Sequence, residues 1–131
     1  MILVDTSIWI ELIKGKTLVR EPDQLLRFRT AGPILQEVLQ GLRPSRQSDS
    51  FKDSFLAIPR LCDPLTWDLY AQAAEIYREG RRRGYTIRSS TDCLIAAIAI
   101  ETGASVWHRD RDFKTIATFT PLRIFGSYQA L

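Results

Sequence analysis

The chain has 131 residues, enough for one domain and too few for a second core. Its 45% hydrophobic and 25% charged content excludes disorder as the main state, and a net charge of +3 is too small to mark a nucleic-acid partner. Cys62 and Cys93 form no CxxC, and the single His108 has no partner at zinc-finger spacing, which excludes a structural zinc site.

Ile2 to Val4 is a short apolar run that stops at Asp5, and Ile8, Leu12 and Ile13 follow at helical spacing. Strand, turn and helix form the first unit. Trp9, Ile10 and Ile13 read as core rather than as contacts of a dimer. A charged loop is expected from Gly15 to Pro22, then a short helix carrying Leu25, Leu26 and Phe28. Gly32 and Pro33 open the next helix, whose stripe is Ile34, Leu35, Val38, Leu39 and Leu42, and it ends before Pro44. Ser48 to Leu56 is expected to be helical and Arg60 to Cys62 a brief strand.

Leu65, Thr66 and Tyr70 fit a hydrophobic staple around an N-cap, and Leu69, Ala73, Ile76 and Tyr77 carry that helix toward Gly84. Ser89, Ser90 and Thr91 supply another N-cap region. The helix after them is apolar nearly all round and belongs in the interior, so Cys93 reads as a small buried side chain. Gly103 ends it, Ser105 to His108 reads as a strand, Asp112 to Phe119 as a helix, and Leu122 to Phe125 as a last strand. Strands alternating with helices predict an α/β domain, with a parallel sheet covered on both faces.

The start, MILVDTS, meets an acid after four apolar residues and forms no signal peptide. The longest uncharged apolar run, residues 93–100, is far short of a membrane span. A cytoplasmic, soluble protein is expected. Of its 18 basic residues 14 are Arg, the cation that grips a phosphate with a two-pronged fork, although a coding bias explains the excess equally well.

Two carboxylates fall where strands end: Asp5 after Ile2 to Val4, and Asp110 after Val106 to His108. In open α/β sheets ligands bind beyond the carboxyl ends of the strands, so these two should share a rim. Asp92 opens the buried helix, where a charge is costly unless paired; taken alone, it reads as a helix-start acid that complements the macrodipole. Glu37, away from the centre of its apolar stripe and beside Gly41, reads alone as an ordinary exposed residue.

The set is more telling than its members. Converging carboxylates raise one another's pKa, and a cation lets them stay ionised together. Oxygen ligands without imidazole or thiolate point to Mg²⁺ or Mn²⁺, and such a cage suits phosphoryl chemistry. No GxxxxGK[ST], GxGxxG or GxSxG motif offers a rival.

The segments MILVDTSIWIEL, ILQEVLQGLR, TDCLIAAIAIETGA and HRDRDF together resemble the PIN-domain family, in particular the VapC-type toxins of bacterial toxin–antitoxin pairs. The resemblance spreads over nearly the whole chain. It implies a single PIN-like domain over residues 1–131, a three-layer α/β/α arrangement with a central parallel sheet of about four to five strands. It also implies that Asp5, Glu37, Asp92 and Asp110 bind the metal and act in catalysis, Asp5 and Asp92 as the firmest ligands. Asp112 is left as a candidate that replaces or supports Asp110, and Thr6 matches a hydroxyl position that orients the first acid.

The implied activity is hydrolysis of RNA phosphodiesters, leaving a 3′-hydroxyl and a 5′-phosphate. The implied partners are RNA, a cognate antitoxin that lays a segment across the acidic rim, and a second copy of the chain. Without a base-reading motif, specificity should come from RNA shape and splayed bases. Arg78, Arg81, Arg82, Arg83 and Arg88 offer a track for the RNA backbone, with Tyr85 available for stacking; for the three consecutive Arg, a favourable helix dipole is an equal explanation. His108 stands where the family often has a small hydroxyl residue, and a structural role is favoured for it over contact with substrate.

Two rival functions fit the residues less well. A phosphatase with an aspartyl-phosphate intermediate usually carries a second Asp two residues after the first, and here that position is Ser7. A PIN-like module that only binds partners would not be expected to keep all four acids.

Overall fold

A computed structural model describes residues 1–15, 19 and 22–126. Most of the loop expected between Gly15 and Pro22 lies outside the described residues. Four strands, β1 (Ile2–Val4), β2 (Phe28–Arg29), β3 (Ser105–Trp107) and β4 (Arg123–Ile124), pair in the order β2-β1-β3-β4, all parallel. Parallel neighbours need crossovers, and six helices supply them and flank the sheet: α1 (Thr6–Ile13), α2 (Gly32–Gln40), α3 (Arg46–Leu56), α4 (Trp67–Arg82), α5 (Ser90–Thr102) and α6 (Arg111–Ala117).

The strand order decides where a ligand fits. The chain leaving β1 returns as β2 on one side of it, whereas the chain leaving β3 returns as β4 on the other. Right-handed crossovers running in opposite directions depart on opposite faces of the sheet. A crevice therefore opens between the carboxyl ends of β1 and β3, the neighbours at the centre.

Short strands hold because they are buried on both faces: Ile2, Leu3, Val4 and Val106 are fully enclosed. Helix α5 follows the same logic. Ser89 caps it by accepting the Asp92 N–H at 3.4 Å, Gly103 ends it at φ 74°, and Cys93, Ile95, Ala96, Ala97, Ile98 and Ala99 are all buried. Helix α4 starts as its sequence predicts, with Thr66 Oγ1 accepting the Leu69 N–H at 3.3 Å.

Three expectations need correction. Phe28 is a strand residue of β2, and the turn before it is a 3₁₀ helix (Pro22–Arg27) whose Leu25 and Leu26 are exposed rather than packed. The strand expected at Arg60 to Cys62 reduces to one parallel bridge between Thr30 and Arg60. Trp9 is core, donating its indole N–H to the Val4 carbonyl at 3.1 Å and meeting the Phe28 and Phe55 rings edge-on. Ile10 and Ile13, however, are exposed, because α1 is turned with Ile8 and Trp9 inward.

Candidate metal centre

Every buried carboxylate among the described residues lies at this crevice: Asp5, Asp92 and Asp112. Asp5 follows β1, Asp92 sits in the first turn of α5, and Asp110 and Asp112 flank the start of α6. Three helix N-termini, those of α1, α5 and α6, carry these acids, and unpaired backbone N–H groups there favour negative charge.

Oxygens of Asp92, Asp110 and Asp112 all lie within 4.8 Å of one another, the tightest grouping of the set. Asp5 is near enough to push the Asp92 pKa upward and to do the same to Glu37. Glu37 projects from α2 and is exposed, while Asp110 is half-buried.

Three of the acids are tied down by one oxygen each. Asp5 Oδ2 accepts the Ser7 hydroxyl at 2.6 Å and the Ser7 N–H at 3.2 Å. Asp110 Oδ1 accepts the Asp112 N–H at 2.9 Å, and Asp112 Oδ2 accepts the N–H groups of Arg88 (3.0 Å) and Ser89 (3.2 Å). Asp92 differs: its Oδ2 is buried with no hydrogen-bond partner among the described residues. Burial, followed by the charges of Asp110, Asp5 and Asp112, pushes the Asp92 pKa up to about 8.

A buried carboxylate with an orphan oxygen, faced by two more acids, is poorly stabilised by protein alone. A hard divalent cation answers that deficit, and the all-oxygen donor set fits Mg²⁺ or Mn²⁺. Asp112 is both a structural tie and a member of the cluster, so Asp110 and Asp112 are not exclusive alternatives.

One expected role falls to another residue. Thr6 Oγ1 is buried with no hydrogen-bond partner among the described residues; the hydroxyl that holds Asp5 belongs to Ser7, which also accepts the Arg109 N–H at 3.0 Å. A sequence pattern gives no sign of a bond that spans 102 positions. His108 is buried against Phe113, and its Nδ1 accepts the Asp110 N–H at 3.1 Å. Burial lowers its pKa, so it is a neutral support of the loop. The Cys93 thiol is raised to about 11 by burial and then by Asp92 and Asp112, leaving it inert.

The basic residues divide. Arg88 is exposed, and its backbone N–H touches the cluster through Asp112. Arg82 and Arg83 both bind Glu79, Arg78 binds Glu75, and Arg81 lies over the Tyr77 ring. Tyr85 has one ring face stacked on Phe119 at 5.8 Å, leaving at most the other for a base.

The PIN-domain model matches residues 2–118. The chain belongs to the PIN-domain family. Two relatives, the VapC ribonuclease Mb1587 of Mycobacterium bovis and the ribonuclease VapC11 of Mycobacterium tuberculosis, are each 40% identical over 130 residues, covering 94% of this chain and 96% of theirs. Among solved structures, VapBC2 from Rickettsia felis bound to a promoter DNA fragment superposes with a TM-score of 0.72 at 22% identity, covering 95% of this chain and 97% of that one. VapBC from Salmonella typhimurium bound to DNA gives 0.70 at 20% identity, covering 94% and 95%. In this PIN domain the crevice between β1 and β3 is thus both the acidic centre and the switch point of a shared fold.

Proposed function

We infer that this PIN domain is a metal-dependent endoribonuclease, the toxin of a type II toxin–antitoxin pair, and that it hydrolyses RNA phosphodiesters at the carboxylate crevice. The observation that carries this reading is the orphan Asp92 oxygen facing Asp110 and Asp112. Kinship with VapC ribonucleases supplies the substrate class.

Asp92, Asp110 and Asp5 would hold a Mg²⁺ or Mn²⁺ ion, with Glu37 and Asp112 completing the set. Such a cation supplies the positive charge that acidifies an attacking water and offsets charge on the phosphate. The chain's own residues do the rest. Asp92 gives up the proton that its surroundings favour, Ser7 fixes the Asp5 carboxylate, and Glu37, made more basic by desolvation and then by Asp5, would accept a proton at the exposed side of the crevice. Arg88, exposed and joined to the cluster through its backbone N–H, is a candidate to contact the RNA, and Arg81, Arg82 and Arg83 extend the basic surface, whereas the buried Thr6 hydroxyl is not open to it.

Structural relatives solved as VapBC complexes support an antitoxin partner. A homodimer is supported by α4, where Trp67, Tyr70 and Tyr77 are exposed and Tyr70, Tyr77 and Leu94 line a groove of about 460 Å³. No helix among the described residues is long and apolar enough to cross a membrane.

The decisive experiment uses purified Asp5→Asn and Asp92→Asn chains with RNA. Both should fold and lose cleavage, and EDTA should stop the parent chain until Mg²⁺ or Mn²⁺ is restored. Undiminished cleavage by either variant would overturn the site.

A further inference from the structure

We propose that Ser7 is a positioning residue that couples the first acid to the loop bearing Asp110, and thereby sets how tightly the crevice holds a divalent cation. The inference rests on the metal-site reading above. Its physical basis is one hydroxyl with two duties, one local and one spanning 102 positions. Ser7 Oγ donates its proton to Asp5 Oδ2 at 2.6 Å and accepts the Arg109 N–H at 3.0 Å. A hydroxyl has one donor and two acceptor sites, so both bonds form together and polarise each other.

The loop is secured on either side of that contact. Arg109 Nε reaches Glu11 Oε2 on α1 at 3.2 Å, and the next amide, of Asp110, is taken by His108 Nδ1. Ser7 and Glu11 lie four residues apart on α1, so one helix face grips the loop at two levels. The exposed Arg109–Glu11 pair contributes little by itself. The bond from Ser7 to Asp5 is short and half-buried, the bond from Arg109 to Ser7 is exposed, and through the one hydroxyl the two link the loop to the acid after β1.

Because Asp5 Oδ2 is taken by Ser7, the carboxylate cannot swing freely, and Oδ1 is the oxygen presented elsewhere. Without the hydroxyl, Asp5 keeps only the longer Ser7 N–H bond at 3.2 Å, and the Arg109 amide loses its acceptor. The spacing between Asp5 and Asp110 then drifts. Partners that orient metal ligands in this way commonly account for tenfold or more in affinity.

The test compares the full chain with Ser7→Ala, Ser7→Cys and, as a control, Asp92→Asn. Mn²⁺ binding is followed by the loss of free-ion paramagnetic signal, and exchange of the Arg109 amide is measured in metal-free protein. Ser7→Ala should bind Mn²⁺ about tenfold more weakly, expose the Arg109 amide to exchange, and recover most of its kcat for RNA when Mn²⁺ is raised. Ser7→Cys keeps the volume but is a poor acceptor and should weaken Mn²⁺ binding in the same direction, which decides the matter should the alanine chain not fold. Parent-like Mn²⁺ affinity in a folded Ser7 variant would overturn the coupling. If Asp92→Asn also binds Mn²⁺ like the parent, the metal-site reading itself fails.

Discussion

Asp112, on α6, closes the crevice by accepting the backbone N–H of Arg88, 24 residues earlier, at 3.0 Å, and the next N–H, of Ser89, at 3.2 Å. One carboxylate oxygen thus pins the entry of α5 to the start of α6. Asp112→Ala leaves two amides without their acceptor, at about 1–3 kcal/mol each. Relief of the charge on Asp92 returns part of that, so a net loss of roughly 2 kcal/mol, or about 6 °C in Tm, is expected. Asp112→Asn keeps one acceptor oxygen and should lose less. Calorimetry of the metal-free chains checks this, and an unchanged Tm for Asp112→Ala would deny Asp112 its structural part.

Asp92 also ties stability to pH. Its pKa is about 8 when folded, against an ordinary 3.8, so between these values the folded state holds a proton that the unfolded chain has lost. Stability is therefore greater at the acid end and declines as pH rises through the window. His108, whose pKa is lowered by burial, acts in the opposite sense only below its ordinary 6.5. From pH 6.5 to 8.5 the Asp92 effect stands clear. Metal-free Tm should fall by about 5 °C over that range, and either Asp92→Asn or saturating Mg²⁺ should flatten the fall. A flat profile for the parent chain would mean that Asp92 ionises without help.

The legible parts of this fold are those set by neighbours in sequence. The stop of β1 at Asp5, the Thr66 and Ser89 caps, and the buried α5 can all be read from local pattern. Phe28 misleads because a two-residue strand has no period, and Leu25 and Leu26 lend it a helical setting that the fold then leaves exposed. The acids stand out by type and position, yet their ties do not. The bonds from Ser7 to Arg109 and from Asp112 to Arg88 depend on loops that meet only once the sheet is assembled. Thr6 and Ser7 are adjacent hydroxyls, and only the turn of α1 decides which of them reaches Asp5.

Gly80 marks a close approach within α4. A Cβ there would lie 2.6 Å from Ile87 Cδ1 and 3.3 Å from Phe119 Cζ, both on segments packed against the helix. Alanine favours a helix over glycine by about 1 kcal/mol, whereas overpacking a filled site costs about 1–3 kcal/mol. The clash should win. Gly80→Ala is expected to lower Tm by a few degrees, and a Tm at or above the parent's would show that Ile87 has room to swing aside.

Glu79 occupies two cations of the basic surface at the end of α4. Hydrogen bonds from Arg82 and then Arg83 lower its pKa to about 2, so the carboxylate stays ionised and occupies both guanidinium groups across the physiological range. If the arginines track the RNA backbone, they must leave Glu79 or share it. Glu79→Gln removes the competing charge and keeps a neutral acceptor. RNA affinity should rise about threefold at low salt, with a steeper decline as salt is added, because more phosphate contacts release more counterions. The fold should be little affected, since these ion pairs are exposed. Fluorescence anisotropy with a labelled RNA and the cleavage-dead Asp92→Asn background separates binding from turnover. An unchanged salt slope would assign Arg82 and Arg83 to the end of α4 alone and leave Arg88 as the cation beside the acids.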